Sequence, residues 1–137
     1  MKLEKFMIDV TKALLRENKV VFWDNGDSVV ISYNGCFAMV IPKTKNVFNH
    51  AVSSKPCPIP AEWDAHKLRD TKQLIKMDKI TSFVFEAENG DRVYIDEKYT
   101  KYFDKHAEFY GISKKSAVYV SENGVLCGII MPIRKET

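Results

Sequence analysis

The sequence predicts an α+β domain of two layers, built from an internally duplicated unit of one helix followed by antiparallel strands. Three observations predict it. Four of the six glycines follow an asparagine, at Asn25-Gly26, Asn34-Gly35, Asn89-Gly90 and Asn123-Gly124, each between two apolar, β-branched or aromatic runs. Asn-Gly accepts the positive φ angles of a type I′ turn, whose twist matches that of paired strands. Amphipathic patterns of helical period cover residues 3–17 and 97–110. Finally, "YNGCFAMVIP" at 33–42 nearly recurs as "ENGVLCGIIMP" at 122–132, preceded by "SVVIS" and "AVYVS" respectively. Turn chemistry and β-propensity can produce such a match by convergence. The helix before each hairpin and the proline after each last strand favour duplication of a whole unit, 1–42 and 80–134, with 43–79 connecting them in one domain of 1–137.

The elements follow in order. Leu3, Phe6, Met7, Val10 and Leu14 recur at spacings of three and four and predict a helix over 3–17 with those side chains inward. Lys5, Asp9, Lys12 and Arg16 fall mainly on its other side. Strands are expected at 19–24, 28–33 and 36–41, with Pro42, which lacks an N–H, closing the last. Residues 43–60 are irregular, because Pro56, Pro58 and Pro60 fit neither a helix interior nor a central strand. Two helix starts then compete: Pro60 in a first turn that points Trp63 and Leu68 inward, or Asp70, leading through Leu74 and Ile75. "ITSFVFEAENGDRVYID", from Ile80, predicts two strands around Asn89-Gly90. The helix over 97–110 takes Asp96 as N-cap and Gly111 as C′ residue. Its inward stripe is Tyr99, Tyr102, Phe103, His106 and Tyr110; Lys98, Lys101, Lys105 and Glu108 face water. Strands at 116–121 and 125–131 close the chain.

Composition excludes several function classes. The 137 residues, 45% hydrophobic, suffice for one core and not for two ordinary domains. No apolar run approaches the roughly 18–20 residues that cross a bilayer, so no membrane association is expected. The N-terminal stretch carries acids within its apolar pattern, unlike a secretory leader. Three cysteines without paired spacing fit a reducing, cytoplasmic setting. The net charge of +3, from 21 basic and 18 acidic residues, leaves room only for a local basic face. His50, His66 and His106 are scattered, with no His-Glu-x-x-His or Cys-x-x-Cys, so no metal is expected. The Asn-Gly turns lack the spacing of a phosphate loop, and no cofactor is expected. Scattered carboxylates nominate no acid–base pair, and the chain reads as non-enzymatic. The catalytic alternative pairs Cys57 with His50 or His66, which needs contact and a lowered thiol pKa. Cys36 and Cys127 read as small buried hydrophobes.

The stretch "DRVYIDEKYTKYFDKHAEFYGISKKSAVYVSENGVLCGIIMPIRK" resembles the last domain of the bacterial DNA sliding clamp family, the β subunit of DNA polymerase III. There a strand runs into a helix with an early tyrosine, matched by Tyr99. Further strands end in a Met-Pro-hydrophobic-Arg motif, matched by Met131-Pro132-Ile133-Arg134. The resemblance covers residues 80–134, extends to 1–42 as a pattern and leaves out 43–79. It implies a clamp domain, itself internally duplicated, acting as a scaffold in DNA replication. Family clamps join two or three such domains in one chain and close rings of six, so a ring here implies a homo-oligomer of six copies or a partner chain.

The resemblance also implies two sites. A helical surface would face double-stranded DNA, with Lys5, Lys12 and Arg16 on one helix and Lys98, Lys101 and Lys105 on the other meeting phosphates. Met131, Pro132, Ile133 and Arg134 would line a pocket for short linear peptides of replication proteins. The chain departs from the family in lacking a strand before its first helix and in carrying Lys135 after the motif. Interspersed Asp9, Asp104 and Glu108 also fit plain solvated helix faces, and Met131-Pro132 also fits a simple strand end. The alternative for the whole chain is a small adaptor or inhibitor with the same architecture and no DNA role.

Overall fold

The computed structural model describes residues 1–16, 19–46, 48, 57 and 59–134. Among the described residues the order is α1 (Leu3–Leu15), β1 (Val20–Asn25), β2 (Ser28–Tyr33), β3 (Phe37–Pro42), a 3₁₀ turn (Lys43–Lys45), β4 (Arg69–Met77), β5 (Ile80–Glu86), β6 (Arg92–Asp96), α2 (Glu97–Thr100), β7 (Glu108–Tyr110), β8 (Val118–Glu122) and β9 (Val125–Ile130). The strands form a six-stranded sheet, ordered β1-β2-β3-β9-β8-β7, and a three-stranded sheet, β4-β5-β6. Every pairing is antiparallel. The chain is therefore an α+β domain. The two hairpins that carry the near-repeat meet at the centre of the large sheet, where Phe37, Ala38 and Met39 pair with Ile130, Ile129 and Gly128.

Strand periodicity explains the layers. Val29, Ile31, Phe37, Met39 and Ile41 alternate onto one face of the large sheet, where they share a core with Phe6 and Val10 of α1 and with Phe85, Val93 and Ile95 of the small sheet. The intervening Val30, Ala38 and Val40 form a second cluster on the opposite face, packed by Trp23, Cys57 and Ile59. One face is thus covered by α1 and the small sheet, and the other carries Cys57 and Ile59.

The four Asn-Gly sites all lie at hairpin turns, with differing geometry. At Asn123-Gly124 both residues have positive φ (54° and 79°), and the strands pair immediately outside them, Glu122 with Val125. This is the two-residue turn that the dipeptide predicts. Asn34 and Gly35 are also left-handed, but Tyr33 pairs with Phe37 and the turn takes in Cys36. That extra residue leaves Cys36 exposed rather than buried as expected. Between β1 and β2 the turn residues are Gly26 and Asp27, since Asn25 still pairs with Ser28.

Two expected elements are replaced. The helix predicted over 97–110 is one turn long. Asp96 caps it as expected, accepting the Lys98 N–H at 3.0 Å. After Thr100 the chain turns so that both Tyr102 and Phe103 enter the core. The Asp104 N–H donates to Glu122 Oε2 at 2.6 Å, and the Asp104 carboxylate accepts the His106 N–H at 3.2 Å. Glu108, Phe109 and Tyr110 then pair with β8. These tertiary partners replace the next helical turns, His106 is exposed instead of half-buried, and Gly111 follows a strand instead of capping a helix.

Neither helix start after Pro60 forms. Residues 60–65 make successive turns, with Trp63 N–H to Pro60 O at 3.2 Å and Ala65 N–H to Glu62 O at 3.0 Å. Leu68 does point inward, at 3% exposure. Arg69–Met77 is a strand whose turn to β5 uses Asp78 at φ 53°. An aspartate tolerates that conformation where most side chains do not.

Candidate interaction surfaces

Helix α1 buries Phe6, Val10 and Ala13. At about 100° per residue, Lys5, Lys12 and Arg16 fall within about 40° of one another on the outward side, and all three are exposed. Asp9 lies beside Lys5 and Lys12 at the i, i±3/4 distance. Its carboxylate accepts a hydrogen bond from the Tyr102 hydroxyl. Burial, and then this bond to a carboxylate, push the tyrosine hydroxyl well above its ordinary pKa. The Lys2 N–H donates to Tyr102 O at 2.7 Å. The segment after α2 is therefore fastened to α1 along the border of its basic strip.

That fastening brings part of the second lysine group to the first. Lys98 Nζ lies 5.0 Å from the centroid of the Tyr99 ring, and Lys101 Nζ lies 5.7 Å from that of Tyr102, both within cation–π range. Tyr99 and Tyr102 each stack on Phe37, which also meets Phe6 edge-on. Lys98 and Lys101 thus lie over the aromatic junction that Phe6 of α1 joins, whereas Lys5, Lys12 and Arg16 are spread over about 16 Å along α1. Ile8 and Leu15, 50% and 80% exposed, share the outward side of α1. Lys105 sits elsewhere: it lines a groove of about 570 Å³ with Lys67, Arg69, Lys72 and His106.

Met131-Pro132-Ile133-Arg134 crosses from the large sheet to the small one. The Met131 N–H donates to Cys36 O, and the Ile133 N–H to Tyr94 O, each at 2.8 Å. Pro132 is buried, Ile133 half-buried, and Met131 and Arg134 exposed. The backbone of this motif ties the two sheets together, and of its side chains Met131 and Arg134 are the exposed ones.

His50 lies outside the described residues. His66 Nδ1 sits 3.0 Å from Glu88 Oε2, while Cys57 packs in the second cluster. No hydrogen bond joins Cys57 to His66, and burial raises the Cys57 thiol pKa, the opposite of nucleophile activation. A cavity of about 230 Å³ has Pro60, Trp63, His66, Ile112 and Tyr119 in its wall; nothing in the spacing of those residues announced it. Among the described residues no group of three His, Cys, Asp or Glu side chains is placed to hold a metal ion, and no helix is long and apolar enough to cross a membrane.

A basic strand was also missed. Residues 67–79 hold five basic and two acidic side chains, which leaves sixteen of each sign over the rest of the chain. The whole net charge of +3 therefore resides on the approach to β4, on β4 itself and on its turn. Reading that stretch as an amphipathic helix would scatter these cations around a cylinder; as a strand they line one edge of a sheet.

Comparison with known protein families, with curated proteins and with solved structures finds no match to this chain.

Proposed function

We propose that the chain is a non-enzymatic, clamp-like scaffold of DNA replication that holds duplex DNA without reading its sequence, as a ring of copies or with a partner chain. The observation that carries the DNA contact is the fastening of α1, which exposes Lys5, Lys12 and Arg16 along one side, to residues 98–102, where Lys98 and Lys101 lie over Tyr99 and Tyr102 and Tyr102 is bonded to Asp9. Internal duplication is supported by the strand order, since exchanging β1, β2, β3 with β7, β8, β9 leaves it unchanged. The shortened α2 restricts the DNA-facing surface to one full helix and a turn. A peptide site at the terminal motif would rest on the Met131 and Arg134 side chains, completed by a neighbouring chain.

The test is the salt dependence of binding to a short labelled duplex, read by fluorescence anisotropy. Each phosphate contact contributes a slope of roughly −0.9 in log K against log salt, so five contacts give about −4.5. K5E/K12E/R16E should lower affinity and bring the slope to about −2. Absence of binding at low salt, or a slope that the triple variant leaves unchanged, would sink the reading.

A second reading, a protein adaptor with no DNA role, is favoured by Ile8 and Leu15. Two exposed apolar side chains on the outward side of α1 suit a protein surface better than a phosphate backbone. It predicts instead that I8S/L15S abolishes partner capture and leaves any DNA affinity untouched.

A further inference from the structure

We propose that the outer edge of β4, Gln73–Met77, is a docking edge for an extended acidic peptide, which joins the small sheet as a fourth strand. The edge is open for a structural reason. Just before β4, Leu68 is held to β7 by its N–H to Phe109 O at 2.7 Å, and Lys67 bridges Tyr110. The register then slips between Asp70 and Gln73, with Lys72 left-handed at φ 63°. Such a bulge bends a strand and redirects it. Beyond it, β4 pairs with β5 alone, and among the described residues no strand pairs with its outer side. The outward N–H and C=O groups of Gln73–Met77 form a template for another strand.

The side chains select the occupant. Leu74 is 58% exposed and shares a face with Lys76. Lys72 precedes it at the bulge, and Lys79 follows in the turn. The Lys72 side chain is 85% exposed; its ion pair with Asp70, at 3.4 Å, is worth little at such a surface. A complementary strand carries an apolar residue against Leu74 and acids toward Lys72 and Lys76. Opposite charges facing across an antiparallel pair are favourable, and like charges directly opposite are not. A second copy of this chain brings no acid to this edge: antiparallel self-pairing over Gln73–Met77, centred on Ile75, sets Lys76 of each copy opposite Leu74 of the other. Duplex DNA would use the lysines but neither the open backbone nor Leu74. An acidic strand uses all three, as strand addition requires.

This edge lies apart from the α1 junction, so the inference stands or falls independently of the clamp reading. The probe is a labelled peptide, acetyl-Glu-Thr-Val-Thr-Glu-Thr, titrated with the full chain and read by anisotropy. Saturable, salt-weakened binding is expected, with a loss of tenfold or more in K72E/K76E. A copy of the peptide N-methylated along its pairing edge should not bind, and neither should one with lysine in place of glutamate. On the unaltered chain, bound peptide should slow hydrogen exchange at the outward amides of Gln73–Met77, a readout that needs no variant to fold. Binding that survives N-methylation or K72E/K76E, or that leaves those amides unprotected, overturns the proposal. So does loss of duplex binding in K72E/K76E where the peptide never bound, which would assign the edge to nucleic acid.

Discussion

Gly128 sits in the middle of the large sheet, opposite Met39 on one side and Val120 on the other. A Cβ there would lie 2.2 Å from Phe103 Cζ and 2.7 Å from Cε1. The ring cannot yield easily, because Phe103 is 5% exposed and meets Phe37 edge-on at 6.0 Å. G128A should therefore destabilise by about 1–3 kcal/mol, the usual cost of an overpacked core, as a fall in urea midpoint. In an F103L background the same substitution should cost less, since neighbours in contact are non-additive. A glycine inside a strand often marks a bulge or a close backbone approach. Both are present, but which ring makes the approach was not legible, because Phe103 comes from a segment that periodicity assigned to a helix.

That segment shows how an element is decided. Tyr99, Tyr102 and Phe103 are inward, as their spacing predicts, and only the continuation of the stripe departs from it. Helical hydrogen bonds are local and compete with whatever tertiary partners the chain meets. Glu122 accepting the Asp104 N–H, and β8 pairing with residues 108–110, are partners no local pattern contains. The loop before β8 is held in the same way. Asp91 accepts the Lys114 N–H at 3.1 Å and an Asn89 side-chain N–H at 3.2 Å. The Lys114 N–H, then the Asn89 bond, lower the Asp91 pKa below 3.8. A carboxylate depressed on folding stabilises fully above its unfolded pKa and loses that contribution as pH falls through the folded one. Hydrogen exchange at Lys114, corrected for its intrinsic pH dependence, should therefore accelerate only below about pH 4. D91N should remove most of that acid dependence; a D91N profile identical to the parent's would refute the assignment.

For the whole molecule the decisive quantity is the size of the assembly. If the proposed ring is built from copies of this chain, light scattering across a concentration range, at low and moderate salt, should show a mass above that of one chain. A sixfold mass fits a self-assembled ring. A strict monomer at every concentration removes that ring and leaves the scaffold dependent on a partner chain.

The sequence by itself determined the fold class, α1, and most of the strands. Their signals are local: a 3.6-residue stripe, runs of β-branched residues, and asparagine–glycine pairs that accept left-handed backbone. It also placed the near-repeat hairpins and the inward faces of Phe6, Val10, Tyr99 and Tyr102. The tertiary structure decided what depends on distant partners. It shortened α2 to a turn, made β4 a strand, used the terminal Met-Pro motif to bind two sheets, and separated Lys105 from the other lysines. Strand pairing is the physical reason. A ladder hydrogen bond needs a second strand, so whether Arg69–Met77 becomes helix or strand depends on whether β5 stands beside it.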